Sequence, residues 1–90
     1  MLEAEVKITN RLGLHARAAA QLVRLAGQFK SEVKLKHSDN NVVADAKSIL
    51  SVLTLAAACG TLLKIEADGA DEEKAIAAIE ELFSNGFGEI

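Results

Sequence analysis

Leu2-Glu3-Ala4-Glu5-Val6-Lys7-Ile8-Thr9-Asn10-Arg11-Leu12-Gly13-Leu14-His15-Ala16-Arg17 changes its hydrophobic rhythm partway along. Leu2, Ala4, Val6 and Ile8 alternate with Glu3, Glu5 and Lys7, the period of two that a half-buried strand requires. Asn10 to Gly13 breaks that alternation and reads as a loop. From Ala16 to Phe29 the apolar positions Ala19, Leu22, Val23, Ala26 and Phe29 return at helical spacing, while Arg17, Gln21, Arg24 and Gln28 fall elsewhere. The spacing predicts a strand, a short loop and an amphipathic helix whose alanine-rich start suits close packing on a sheet.

The same two rhythms recur downstream. Glu32 to His37 alternates, with Val33 and Leu35 on one side and Lys34 and Lys36 on the other. Ser38-Asp39-Asn40-Asn41 is turn chemistry, and Val42-Val43-Ala44 resumes an extended strand, so this pair predicts a hairpin. Ser48 precedes Ile49, Leu50, Val52 and Leu53, which fits a short helix capped by the serine hydroxyl. Thr61 to Ala67 is a further strand, with Leu63, Ile65 and Ala67 on one face. After the turn Asp68-Gly69-Ala70-Asp71 comes a last helix with a buried stripe of Ala75, Ile76, Ile79, Leu82 and Phe83, closed by Asn85-Gly86. The order β-α-β-β-α-β-α predicts an α+β protein, a four-stranded antiparallel sheet covered on one face by three helices. A chain of 90 residues allows one domain over 1–90.

Composition narrows the function. Half the residues are hydrophobic, yet there is no tryptophan or tyrosine and only three phenylalanines, so the core is aliphatic and base-stacking nucleic-acid modules are disfavoured. A net charge of −3 gives no general attraction to nucleic acid or anionic lipid. The charge is unevenly spread. Val6 to Ser31 contains no acid but holds Lys7, Arg11, Arg17, Arg24 and Lys30. From Glu66 onward Asp68, Asp71, Glu72, Glu73, Glu80, Glu81 and Glu89 face Lys74 alone. Cys59 stands alone and follows an alanine run, which predicts a small buried hydrophobe rather than a disulfide or metal ligand. Met1-Leu2-Glu3-Ala4-Glu5 has no basic region leading to an apolar core, and no apolar run reaches membrane-spanning length, so a cytoplasmic protein without membrane insertion is expected.

His15 lies where the loop meets the first helix, inside the basic segment. The first amides of a helix lack intrahelical partners and the dipole makes that end positive, so an anion there meets free N–H donors. A neutral imidazole beside such a site is a competent nucleophile. Arg17 follows with a fork of donors suited to phosphoryl oxygens. These parts suit receipt and return of a phosphoryl group by positioning and electrostatics. No magnesium cage or glycine-rich nucleotide loop accompanies them, so the phosphoryl donor is expected to be another phosphoprotein, with no cofactor and no metal.

Gly13-Leu14-His15-Ala16-Arg17 followed by Ala19-Ala20 resembles the active-site signature of the HPr family, the histidine-containing phosphocarriers of the bacterial phosphoenolpyruvate-dependent phosphotransferase system. Ala46-Lys47-Ser48-Ile49-Leu50 is similar to the family's regulatory serine segment, and the likeness runs on to Gly69-Ala70-Asp71-Glu72. The resemblance implies an open-faced β-sandwich and phosphorylation of His15 at Nδ1 by enzyme I. The phosphoryl group then passes to an enzyme II A-domain, so the chain is a carrier with a phosphohistidine intermediate rather than a self-contained enzyme. It further implies phosphorylation of Ser48 by HPr kinase/phosphorylase, and a docking surface of Arg17, Ala20, Gln21 and Arg24 with Leu50 and Leu53. Proline usually stands three places after the family's histidine, where this chain has Ala18; alanine permits the fold but leaves the turn less rigid.

A serine such as Ser48 is a common helix cap, with Lys47 as a nearby positive charge. Ile49, Leu50, Val52, Leu53 and Leu55 cannot all face the core, so one or two are expected at the surface, and His37 is expected to be solvated and without a role. The main alternative function is a regulatory relative that acts through Ser48 phosphorylation and partner binding. The nitrogen-related NPr branch is a variant of the carrier, and Leu82-Phe83-Ser84-Asn85-Gly86-Phe87 is similar to its ending. An acyl carrier is disfavoured by the period-two segments. A monomer is expected.

Overall fold

Alternation becomes pairing in the computed structural model, which describes residues 1–39 and 41–89. The elements in chain order are β1 (Leu2–Lys7), α1 (Ala16–Ala26), β2 (Glu32–His37), β3 (Val43–Asp45), α2 (Ile49–Leu53), β4 (Leu62–Asp68) and α3 (Glu72–Ser84), followed by a short turn at Gly86–Gly88. The four strands form one antiparallel sheet in the order β1-β4-β2-β3. Its register keeps the two faces apart: Ile65 stands opposite Ala4 and Leu35, and Leu35 opposite Ala44. On the other face Lys64 stands opposite Glu5, and Lys34 opposite Glu66 and Asp45, so that side is solvated. The expected α+β architecture is the observed one.

The inner face is roofed by the helices. Ala18, Ala19, Leu22 and Ala26 of α1, Val52 of α2, and Ala75, Ile76, Ile79 and Phe83 of α3 are buried with Val33, Leu35, Leu63 and Ile65 of the sheet. Small alanines on α1 let that helix approach closely, consistent with an aliphatic core.

Two details differ from the expectation. α1 stops at Ala26 rather than Phe29, because Gly27 weakens the helix and the next amides switch to tighter bonds, Gln28 to the Leu25 carbonyl and Phe29 to that of Ala26. Cys59 is exposed, not buried: it occupies a tight turn closed by the Thr61 amide on the Ala58 carbonyl, which directs its thiol outward. Of the expected turn at 38–41, Asn40 lies outside the described residues, while Asn41 takes φ 59°, which asparagine tolerates.

A polar latch ties α3 to the chain beyond α1. The Asp71 carboxylate accepts hydrogen bonds from the buried Ser31 hydroxyl and from the amides of Lys30 (2.8 Å) and Ser31 (2.9 Å). The Ser31 hydroxyl and these amides hold its carboxyl at about 2, well below the usual carboxylate range. Gly69 allows the contact, since a Cβ there would lie 2.6 Å from Ser31 Cα.

Candidate functional site at the start of the first helix

The loop before α1 needs glycine. Gly13 has φ +69°, and a Cβ on it would lie 2.6 Å from the Ala57 carbonyl oxygen. That same oxygen accepts the Leu14 amide at 2.9 Å, and the Leu14 side chain is buried, so the loop is pinned onto the segment after α2. His15 follows in extended geometry as the N-cap of α1, its carbonyl accepting the Ala19 amide at 2.8 Å. Its ring Nδ1 accepts the Arg17 amide at 3.3 Å. The amides of Ala16 and Ala18 make no hydrogen bond among the described residues. Ala18 thus retains a donor that a proline in its place would lack. No acid occupies the first turn of α1.

A carboxylate nevertheless reaches this helix start from far along the chain. Glu89 Oε2 lies 2.6 Å from His15 Nε2 and 3.5 Å from Arg17 Nε. Its other oxygen accepts from Asn10 Nδ2 at 3.0 Å, and Asn10, fully buried, also donates to the Gly13 carbonyl at 2.7 Å. The Asn10 amide first, and then the imidazole and Arg17, hold the Glu89 carboxyl below the usual carboxylate range, against the opposing effect of desolvation. Glu89 is delivered by a left-handed turn in which Gly86, Phe87 and Gly88 all have positive φ (63°, 57° and 73°). The Phe87 ring is buried edge-on against Phe83, with centroids 4.9 Å apart, and its carbonyl accepts from Gln21 Nε2 at 3.2 Å. Neither Asn10 nor Glu89 stands out in the sequence as a site residue; the one local signal is an asparagine where the first alternating run gives way to the loop.

The residues singled out from sequence sit as follows. Arg17 is exposed, with its guanidinium turned towards Glu89. Ala20 is half-buried, Arg24 is exposed, and Gln21 is half-buried and engaged with Phe87. α2 packs beside α1, and on it Leu50 is 75% exposed, while Ile49 and Leu53 are partly so and Val52 is buried. Leu12 adds a further exposed apolar side chain before His15. The basic and apolar groups expected at a docking surface therefore lie on two helices, α1 and α2, that pack against each other.

Ser48 is the half-buried N-cap of α2, its Oγ accepting the Ser51 amide at 3.3 Å. The neighbouring Lys47 keeps its positive charge while its Nζ donates to the Phe29 carbonyl at 2.8 Å. His37 ends β2, half-buried, its Nδ1 accepting the Asp39 amide at 3.2 Å.

Chemically, the arrangement presents an imidazole, two unpaired amides and a guanidinium at one helix start. Comparison with known proteins agrees in kind. Residues 2–85 match the family described as "PTS HPr component phosphorylation site". The phosphocarrier protein HPr of Cupriavidus necator is 48% identical over 99% of this chain and 98% of its own length. The phosphocarrier protein NPr of Escherichia coli is 44% identical over 93% of this chain and 92% of its own. The HPr structure from Thermoanaerobacter tengcongensis superposes with a TM-score of 0.93 at 39% identity, covering 100% of this chain and 99% of that one.

Proposed function

The chain belongs to the HPr family of phosphotransferase-system phosphocarriers, and from that premise we propose that it accepts a phosphoryl group on His15 Nδ1 from phosphorylated enzyme I and hands it to an enzyme II A-domain. The observation that carries this reading is the His15 ring at the head of α1, its Nδ1 held only by the Arg17 amide beside two unpaired amides. In the transfer, the lone pair of Nδ1 attacks phosphorus as the donor's bond to phosphorus breaks. The amides of Ala16 and Ala18 and the Arg17 guanidinium then face the phosphoryl oxygens. Positioning and charge do the catalysis, and no cofactor takes part.

Docking uses the surrounding surface. Arg17 and Arg24 attract an acidic partner, and Leu50 and Leu53 with Ala20 and Gln21 supply a small apolar contact typical of transient complexes. The whole chain acts as one carrier domain, a monomer in the cytoplasm. Incubation with phosphoenolpyruvate and enzyme I should place one acid-labile phosphoryl group on the protein, and His15→Ala should abolish it. An unchanged label in His15→Ala would refute the site.

Ser48 adds a regulatory layer to this proposal. HPr kinase/phosphorylase with ATP should give an acid-stable phosphate that disappears in Ser48→Ala, and its persistence there would exclude Ser48. A dianion at the head of α2 would lie beside the exposed Leu50 and oppose docking of an acidic partner.

A further inference from the structure

We propose that Glu89 is a positioning residue for the transfer, fixing the His15 ring with its proton on Nε2 so that Nδ1 is the atom that takes the phosphoryl group. This rests on the reading of His15 as the acceptor and deepens it. Two contacts assign the tautomer independently. An ionised carboxylate only accepts hydrogen bonds, so the 2.6 Å contact of Glu89 Oε2 requires a proton on Nε2. The Arg17 amide only donates, so its 3.3 Å contact requires a lone pair on Nδ1. Both demand the same ring.

The carboxylate is placed by built structure rather than by a wandering side chain. Its side chain is only 15% exposed, its second oxygen is bonded to the buried Asn10, and the chain just before it is anchored by the buried Phe87 and by Gln21. A histidine whose far nitrogen is held by a carboxylate is oriented as well as protonated correctly.

The chemistry then needs no proton movement. When Nδ1 forms its bond to phosphorus, the donor atom keeps the electron pair of the broken bond, and the ring, still carrying hydrogen on Nε2, becomes cationic. Glu89 neutralises that cation. On transfer to the acceptor, the pair of the Nδ1–phosphorus bond returns to Nδ1 and the ring is neutral again. Arg17, 3.5 Å from Glu89 in the free protein, is released towards the phosphoryl oxygens as the carboxylate takes up the ring's charge.

The test combines ring spectroscopy with kinetics on Glu89→Gln. A glutamine amide can either donate to Nε2 or accept from it, so nitrogen-15 NMR of the His15 ring should change from a single tautomer to a mixture. With enzyme I and phosphoenolpyruvate, kcat for phosphorylation should fall about tenfold, with KM held by the intact docking surface. Three results would each overturn the proposal: an unchanged ring spectrum, an unchanged kcat, or a loss expressed in KM alone. Absence of label on His15 of the unaltered protein would remove the carrier reading itself, and the ring spectrum distinguishes that failure from a failure of Glu89.

Discussion

At the start of α3 the chain supplies its own anions; at the start of α1 its first turn supplies none. Glu72 and Glu73 lie in the first turn of α3, and Glu72 accepts the Gly69 amide at 3.1 Å while pairing with the Met1 ammonium at 3.0 Å. Asp71 is committed to Ser31 and Lys30. That helix end serves as a structural joint: its acids are engaged with other parts of the chain, while the amides of Glu73 and Lys74 make no hydrogen bond among the described residues. At α1 the cap is an imidazole, and the carboxylate that does arrive binds the ring's far nitrogen, leaving the amides of Ala16 and Ala18 without a partner among the described residues. Both helix starts thus keep two unpaired amides and differ in the charge around them, with carboxylates at α3 and an imidazole cap without a first-turn acid at α1. Backbone strain follows this division. Two of the non-glycine residues with positive φ, Ala56 and Phe87, flank the His15 loop or carry Glu89, whereas none lies at the start of α3.

The largest change should come from removing the anchor on the α1 side. Phe87→Ala deletes a ring buried against Phe83 and should cost about 3 kcal/mol in denaturant unfolding. The same variant should slow phosphorylation as Glu89→Gln does. A slower transfer without loss of stability would separate the two roles.

Next, Asp71→Asn tests whether the α3 end is purely structural. It should lower the melting temperature by roughly 5 °C and leave labelling of His15 unchanged. Its effect also has a pH signature. The Asp71 carboxyl is depressed from 3.8 to about 2 in the folded protein, so the stability it contributes is fully present above its unfolded value and is lost as pH falls towards the folded one. Thermal melts between pH 5 and 2 should therefore fall less steeply in the asparagine variant, and parallel curves would contradict the latch.

The smallest effect is expected at Ala56. Ala56→Gly relieves a left-handed alanine at φ 47° and should raise stability by up to about 1 kcal/mol, with labelling unaffected. A loss of stability would show that the loop does not carry that strain in solution.

Much of this contrast could be read from the sequence. Period-two and helical spacing located the strands and the helical faces, because each element buries one side and the pattern records it. His15 was legible because a loop ending in glycine and leucine delivers it to a helix start. Glu89 was not: it meets His15 across 74 residues, through a turn whose left-handed geometry leaves no periodic trace. Asn10 escaped because its partner across 79 residues is that same glutamate. The early end of α1 and the outward Cys59 turn on local hydrogen bonding, which hydrophobic spacing does not report.

The two carboxylates that bracket α3 in sequence grip α1 at its opposite ends. Asp71 holds the chain just past the last turn of α1, and Glu89 holds the cap of its first. The first helix is thus mounted like a bar between two clasps that belong to one neighbouring element. A tug on its exposed face is resisted at both mountings, and acid, by protonating both clasps, would loosen the whole bar rather than fray one tip.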